Sequence, residues 1–251
     1  MSDAFFIRRG DGRFEATPHT AGPWDKRHQH AGPPSALLAS AMDTREDMPL
    51  ARFTSEILGP VPIAEIEIAV EVERPGRSVE LVAAELRADG KAVIRARAWR
   101  VKRSPVEVAP VHVPPPLPDA AGEPPELLFG DFGYASAIEW RWAEGGWLIS
   151  GPAKVWTRMR VALVEGEPVT PLQRVLVVAD SGNGVSATLD WTKYVFINPE
   201  LSVHVIRPPE GDWVCLEART EIADAGVATS VLSDPSGPVA RGAQSLFVAP
   251  R

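Results

Sequence analysis

The chain has 251 residues, 45% hydrophobic and 24% charged, with a mean hydropathy of −0.07, the profile of a soluble globular protein of one large or two small domains. A chain this long buries roughly 70–75% of its unfolded surface, and its single cysteine, Cys215, excludes an internal disulfide framework and fits a reducing compartment. No apolar run approaches the ~20 residues of a membrane span, residues 1–13 lack a signal-peptide pattern, and a net charge of −7 argues against nucleic acid; the expectation is a cytoplasmic protein with neither nucleic-acid nor membrane partners.

In chain order, the first predicted helix is 34–42, opened by Pro34 and closed by Asp43. Proline is favoured in a first turn, where its missing N–H has no partner to lose. Apolar side chains on nearly every face predict a helix buried all round, which needs a wrapper. Residues 65–73 alternate acidic and apolar side chains at the strand period of two, and 79–86 and 91–101 read as strands joined by an Asp89-Gly90 turn. One wet and one apolar face describe an antiparallel sheet. Eight of the 25 prolines then fall within 105–125, which excludes a helix or central strand and predicts a stiff extended connector. The expected division is a first half, 1–104, a connector, 105–137, and a second half, 138–251.

The second half repeats the pattern. A helix at 171–179 opens with Pro171 and ends at Asp180, and strands are expected at 201–206, 213–222, 227–232 and 239–248. Cys215 lies in an apolar run and reads as core; His204 lies within a strand and reads as a core residue. The helices superpose at an offset of 137 residues, whereas 53–60 falls on 201–208 at an offset of 148. About eleven extra residues therefore enter the second half after its helix, at the glycine-containing stretch 180–184. One duplicated unit, a helix followed by antiparallel strands, explains the organisation.

GxSxG, GxxxxGK[ST], HExxH and GxGxxG are all absent. His28 and His30 alternate as ligands on a strand might, but nothing with ligand spacing accompanies them. The helix-end aspartates remain. Asp43 is expected to reach solvent. Asp180 is set among glycines, and under the repeat Gln244 stands where the first half has Ala98, and Asn198 where it has Leu50. An aspartate with two amides can orient a water and accept its proton. Gly32, at the opposite helix start, is expected to offer a free N–H to polarise a carbonyl, and its second-half counterpart, Val169, to crowd the mirror-related place beside Asp43.

The chain resembles the TesB-type acyl-CoA thioesterases over nearly its whole length. The resemblance is carried by Ala21-Gly22-Pro23-Trp24, the first helix, Lys154-Val155-Trp156-Thr157-Arg158, Val178-Ala179-Asp180, Arg207-Pro208 ahead of Asp212-Trp213, and Ala243-Gln244. It implies an α+β fold of two fused hotdogs, each a sheet wrapped around a helix, and hydrolysis of an acyl-CoA by a water held by an aspartate, a hydroxyl residue and a glutamine. Asp180 and Gln244 match the first and third roles. Strand register assigns the middle one to Asn198, while Thr188, in the local string Ala187-Thr188-Leu189-Asp190, is the alternative. Gly32 and His30 are the expected substrate-binding residues. No metal or cofactor is implied, and a homo-oligomer is open. Arg95, Arg97, Arg100, Lys102 and Arg103 are candidates for the CoA phosphates, with a solvated sheet face as the other reading. Rival readings are a non-catalytic acyl-CoA binder and an enoyl-CoA hydratase using Asp25 and His30.

Overall fold

The structure, a computed structural model, describes residues 3–104, 109, 112–119, 132–147 and 149–251. The first half contains β1 (Ala4–Gly10), β2 (Arg13–Ala16), a 3-10 turn (Pro18–Thr20), α1 (Gly32–Met42), β3 (Leu50–Ile57), β4 (Glu65–Arg74), β5 (Val79–Ala88) and β6 (Lys91–Val101). Then follow α2 (Gly133–Ser136), β7 (Ile138–Gly146), β8 (Ile149–Met159), β9 (Ala162–Val164), α3 (Pro171–Ala179), α4 (Gly182–Val185), β10 (Tyr194–Ile197), β11 (Glu200–Val205), β12 (Val214–Ile222), β13 (Gly226–Asp234) and β14 (Gly237–Pro250). The strands form one continuous sheet in the order β7-β8-β12-β13-β14-β11-β3-β6-β5-β4-β2-β1-β9, with β10 added to the far end of β14. All pairings are antiparallel except that of β1 with β9.

Alternation decides which face is wrapped. In β5 and β6, Val82, Ala84, Leu86, Ile94, Ala96 and Ala98 are buried, and Arg87 and Arg95 are exposed. The two strands turn at Asp89 and Gly90, both with positive φ (48° and 73°), as a two-residue hairpin requires. The sheet encloses α1 and α3, which pack against each other. A Cβ on Gly32 would lie 2.1 Å from the carbonyl oxygen of Val177, so glycine lets the start of α1 abut the last turn of α3. The α+β duplicated arrangement expected from the sequence is the one observed.

The junction of the halves displays the repeat. β3 and β11 pair antiparallel with Thr54 opposite Ser202. These residues are related by the offset of 148, so a local two-fold passes between them. β6 and β14 follow suit: Ala98 lies opposite Val82, and Gln244 opposite Ala228. The extra residues of the second half build α4 and lead to β10, whose Ile197 pairs with Phe247 of β14.

Several elements depart from expectation. α1 begins two residues before Pro34. The first turn of α3 is partly open to solvent at Pro171 and Arg174. Beyond Ile68, β4 is exposed on both faces, Val70 and Val72 included. His204 is exposed on β11 rather than in the core, whereas Cys215 is buried and its thiol is pushed up to about 12 by burial. Residues 112–119 run over β7 and β8, accepting hydrogen bonds from Trp156 Nε1 at the Pro115 carbonyl (3.1 Å) and from Arg141 Nη1 at the Pro118 carbonyl (3.0 Å). Around α2 the chain docks on the first half: Tyr134 N–H donates to the Ala21 carbonyl (3.1 Å), and a Cβ on Gly133 would sit 1.8 Å from the Pro18 carbonyl oxygen. The rest of the proline-rich stretch lies outside the described residues. No helix of the described residues is long and apolar enough to cross a membrane.

Candidate active site

Asp180 ends α3 with only 4% of its surface exposed. Its Oδ1 accepts from Asn198 Nδ2 at 2.8 Å and from Gln244 Nε2 at 3.2 Å; the Gln244 amide also donates to the Asp180 backbone carbonyl (3.0 Å) and accepts from Asn183 N–H (3.0 Å). Asn198 stands in the Asn198-Pro199 link just before β11, and Gln244 lies on β14. Burial pushes the Asp180 carboxyl up to about 7, against the pull of the two amides and of the Ala31 and Gly32 N–H groups that face it. Asp180 and Asn198 open onto a cleft of about 400 Å³ whose walls include Trp24, His30 and Val61 of the first half and Trp191, Ile197 and Phe247 of the second. Trp24 packs on Trp191 (5.2 Å between ring centroids) and edge-on to Phe196 (5.8 Å, 88°).

His30 stands at the same end. Its ring stacks on Tyr134 with centroids 3.7 Å apart and planes 7° from parallel, and its Nδ1 is 3.3 Å from Asp180 Oδ2. The same Nδ1 accepts the Gly32 N–H at 3.1 Å. This corrects the expectation of a free Gly32 N–H. Glycine is needed there for the packing of α1 on α3, and its N–H is already engaged. Burial pushes the imidazole down to about 3.

The structure thus brings Asp180, Asn198, Gln244, Gly32 and His30 together. Thr188 is exposed and is not part of the cleft wall; its carbonyl accepts from Ser150 Oγ (3.3 Å). Asp25 lines the cleft but is bound by Arg27 (2.7 Å), which holds its carboxyl below the usual carboxylate range. His30 therefore faces Asp180, not Asp25. The basic strand lies elsewhere. Arg95 pairs with Glu85 (2.8 Å) and Arg97 with Glu73 (2.9 Å) on the solvated sheet face. Arg100 is buried, bound to Glu80 (2.6 Å) and to the Met42 carbonyl at the end of α1. Sequence reasoning passed over Tyr134, which reaches His30 from the docked end of the connector, and Asn183 and Trp191, which the extra residues bring in.

The mirror-related place is a smaller cleft of about 260 Å³ containing Asp43, Leu50, Arg103, Thr170 and Pro171; Val169 lies in a separate open depression. Asp43 is half-buried rather than solvated. Its Oδ1 accepts the Leu50 N–H (3.0 Å), and burial pushes its carboxyl up. Leu50 and Asn198 are counterparts, so each helix-end aspartate is held by the same position, once through a backbone N–H and once through a side chain. The helix starts differ more. At α3, Thr170 and Gln173 form a reciprocal capping box (3.3 and 3.0 Å), whereas Ala31, the residue before α1, supplies no side-chain cap and the Gly32 N–H is taken instead by His30 Nδ1.

A sheet-wrapped helix in duplicate is a fold that comparisons with known proteins assign to one class. The N-terminal domain model of the acyl-CoA thioesterases matches residues 20–101 and their C-terminal domain model residues 105–248, more than half of the chain. The chain belongs to the acyl-CoA thioesterase family and is a thioester hydrolase. Among solved structures it is similar to a protein from Novosphingobium aromaticivorans (20% identity, 97% of this chain and 98% of that one covered, TM-score 0.74). It is also similar to a hot dog fold protein from Alicyclobacillus acidocaldarius (15%, 99% and 96%, TM-score 0.71) and to the tesB protein of Mycobacterium avium subspecies paratuberculosis (17%, 98% and 96%, TM-score 0.69). These likenesses show the fold, a double hotdog. No curated protein matches the chain in sequence.

Proposed function

We propose that the enzyme hydrolyses an acyl-CoA, or a related acyl thioester, to acid and thiol in the cytoplasm, with Asp180 as general base and Asn198 and Gln244 as the groups that orient it. The observation that carries this reading is the placement of Asp180: a buried carboxyl, one oxygen committed to two amides, at the end of an apolar cleft that suits an acyl chain. The ionised carboxylate takes a proton from water as the oxygen attacks the thioester carbon. When the C–S bond breaks, the sulfur leaves with its electron pair and takes that proton back from Asp180. Orientation of the water is a large part of such catalysis, and the amides fix the carboxylate that does it.

Thiol release measured over a series of acyl-CoA chain lengths tests the reading. Hydrolysis yields one thiol per turnover; hydration of an enoyl-CoA yields none, and binding alone gives affinity without product. Because the carboxyl must be ionised and sits at about 7, kcat/KM is expected to rise with pH through that region and level off above it. A rate already flat from pH 5 upward would remove Asp180 from the role. The middle position is checked by a pair of variants. Asn198→Leu, which copies Leu50, is expected to lower kcat by more than about tenfold, while Thr188→Val leaves it near the parent value. The reverse pattern would transfer the role to Thr188.

A further inference from the structure

Hydrolysis needs a donor for the carbonyl oxygen as it gains charge, and the start of α1, where such donors are normally found, has none left. Pro33 and Pro34 carry no N–H. Gly32 N–H donates to His30 Nδ1 (3.1 Å), Ser35 N–H to the Ala31 carbonyl (3.0 Å) and His30 N–H to the Thr20 carbonyl (2.7 Å); Ala31 N–H faces the Asp180 carboxylate. His30 itself supplies what is missing. An Nδ1 that accepts a backbone N–H carries a lone pair, so in the uncharged ring the proton is on Nε2. Among the described residues that N–H has no protein acceptor, and the imidazole lines the cleft with 13% of its side chain exposed.

We propose that the Nε2–H of an uncharged His30, fixed in that tautomer by the Gly32 N–H, is the catalytic donor that holds the thioester oxygen as it becomes an oxyanion; this rests on the hydrolase reading above. Burial keeps the ring uncharged by pushing it down to about 3, and a neutral imidazole is an effective electrophilic donor. Its plane is set by the stack on Tyr134. The Tyr134 hydroxyl donates to the Val177 carbonyl (3.0 Å), so Ser181 Oγ, at 2.7 Å, donates to it. The ring is thereby tied to the last turn of α3, which also carries the base. With Nδ1 3.3 Å from Asp180 Oδ2, base and donor stand at one end of the cleft. As the water oxygen bonds to carbon, its proton goes to Asp180 and the carbonyl π pair moves onto the oxygen facing Nε2–H. When the double bond re-forms, the C–S pair leaves with sulfur.

Two measurements test this. In ¹⁵N-labelled parent protein the His30 ring nitrogens are expected to show a bare Nδ1 and a protonated Nε2, unchanged from about pH 5 to 8. An Nδ1–H tautomer, or a His30 that titrates in that range, would overturn the proposal. In the second, His30→Phe keeps the stack but removes the donor, and is expected to lower kcat about 100-fold. KM and the rise in rate near pH 7 should persist, and affinity for a trifluoromethyl-ketone analogue should fall in proportion while that for a thioether analogue does not. A kcat within about threefold of the parent, or equal losses for both analogues, would overturn it. Were the parent to release no thiol while His30 held the expected tautomer, the hydrolase reading would fall, and the catalytic role of His30 with it.

Discussion

Asp180→Asn is expected to lower thioester hydrolysis by at least about 1,000-fold, as removal of a general base does, while Asp43→Asn leaves it nearly intact. Both aspartates end a buried helix, and both are raised by burial. Only Asp180 has two amide side chains on its carboxylate, with the Ala31 and Gly32 N–H groups and the His30 ring facing it from the start of α1. Asp43 meets a helix start already closed by the Thr170–Gln173 capping box. The stability of Asp180→Asn distinguishes lost chemistry from lost structure. A carboxyl raised in the fold favours folding fully only below its unfolded value. That contribution disappears as pH climbs from the ordinary 3.8 through about 7. An amide cannot ionise, so the variant is expected to melt no lower than the parent at pH 8, and the advantage should vanish toward pH 4. Thiol-release rates and thermal melts at both pH values check this; comparable losses of activity from Asp43→Asn would contradict the assignment of the base to Asp180 alone.

Gly32→Ala is expected to destabilise the protein by about 3 kcal/mol or more, near the upper end of overpacking effects, lowering Tm by roughly 6–12 °C in a domain of this size. The sign is informative. Within an unobstructed helix the same change stabilises by about 1 kcal/mol. Here the added methyl would sit 2.1 Å from the Val177 carbonyl oxygen, a backbone atom in a buried helix that yields only if α1 and α3 separate. Separation would carry the Gly32 N–H and His30 away from Asp180, so activity should fall together with stability. A variant as stable as the parent would mean that the helices do not meet as closely as described.

Much of this was legible because strand patterning reports register directly. The offset of 148, read from the superposition of 53–60 on 201–208, reappears as the pairing of Thr54 with Ser202. The same register led to Asn198 over the more familiar local string around Thr188, and Asn198 is the side chain that meets Asp180. The strands β1, β2, β7, β8, β9 and β10 went unread, although Ile138-Glu139-Trp140-Arg141-Trp142 alternates as plainly as β4 does. Residues 4–7 lack that signal, being apolar on both faces. Other features had no sequence signature at all. Arg100 looks like its exposed neighbours Arg95 and Arg97 in a basic run, but its even register turns it under α1 onto the Met42 carbonyl. The occupancy of the Gly32 N–H depends on a ring nitrogen two residues away and on a tyrosine more than 100 positions later, and contacts of that range are set by packing rather than by local pattern.

The cleft takes its carboxylate from one half and its helix start from the other, and the covalent joint between the halves changes what that arrangement demands. Two separate copies would have to meet before any site existed, and mass action would empty the site on dilution. Within one chain each half is held near the other covalently, so their encounter no longer depends on dilution. Each half is then released from one of two former duties: the first need keep no orienting amides, the second no glycine at its helix start. Leu50 and Ala98 on one side, and the Thr170 cap on the other, fit that division of labour.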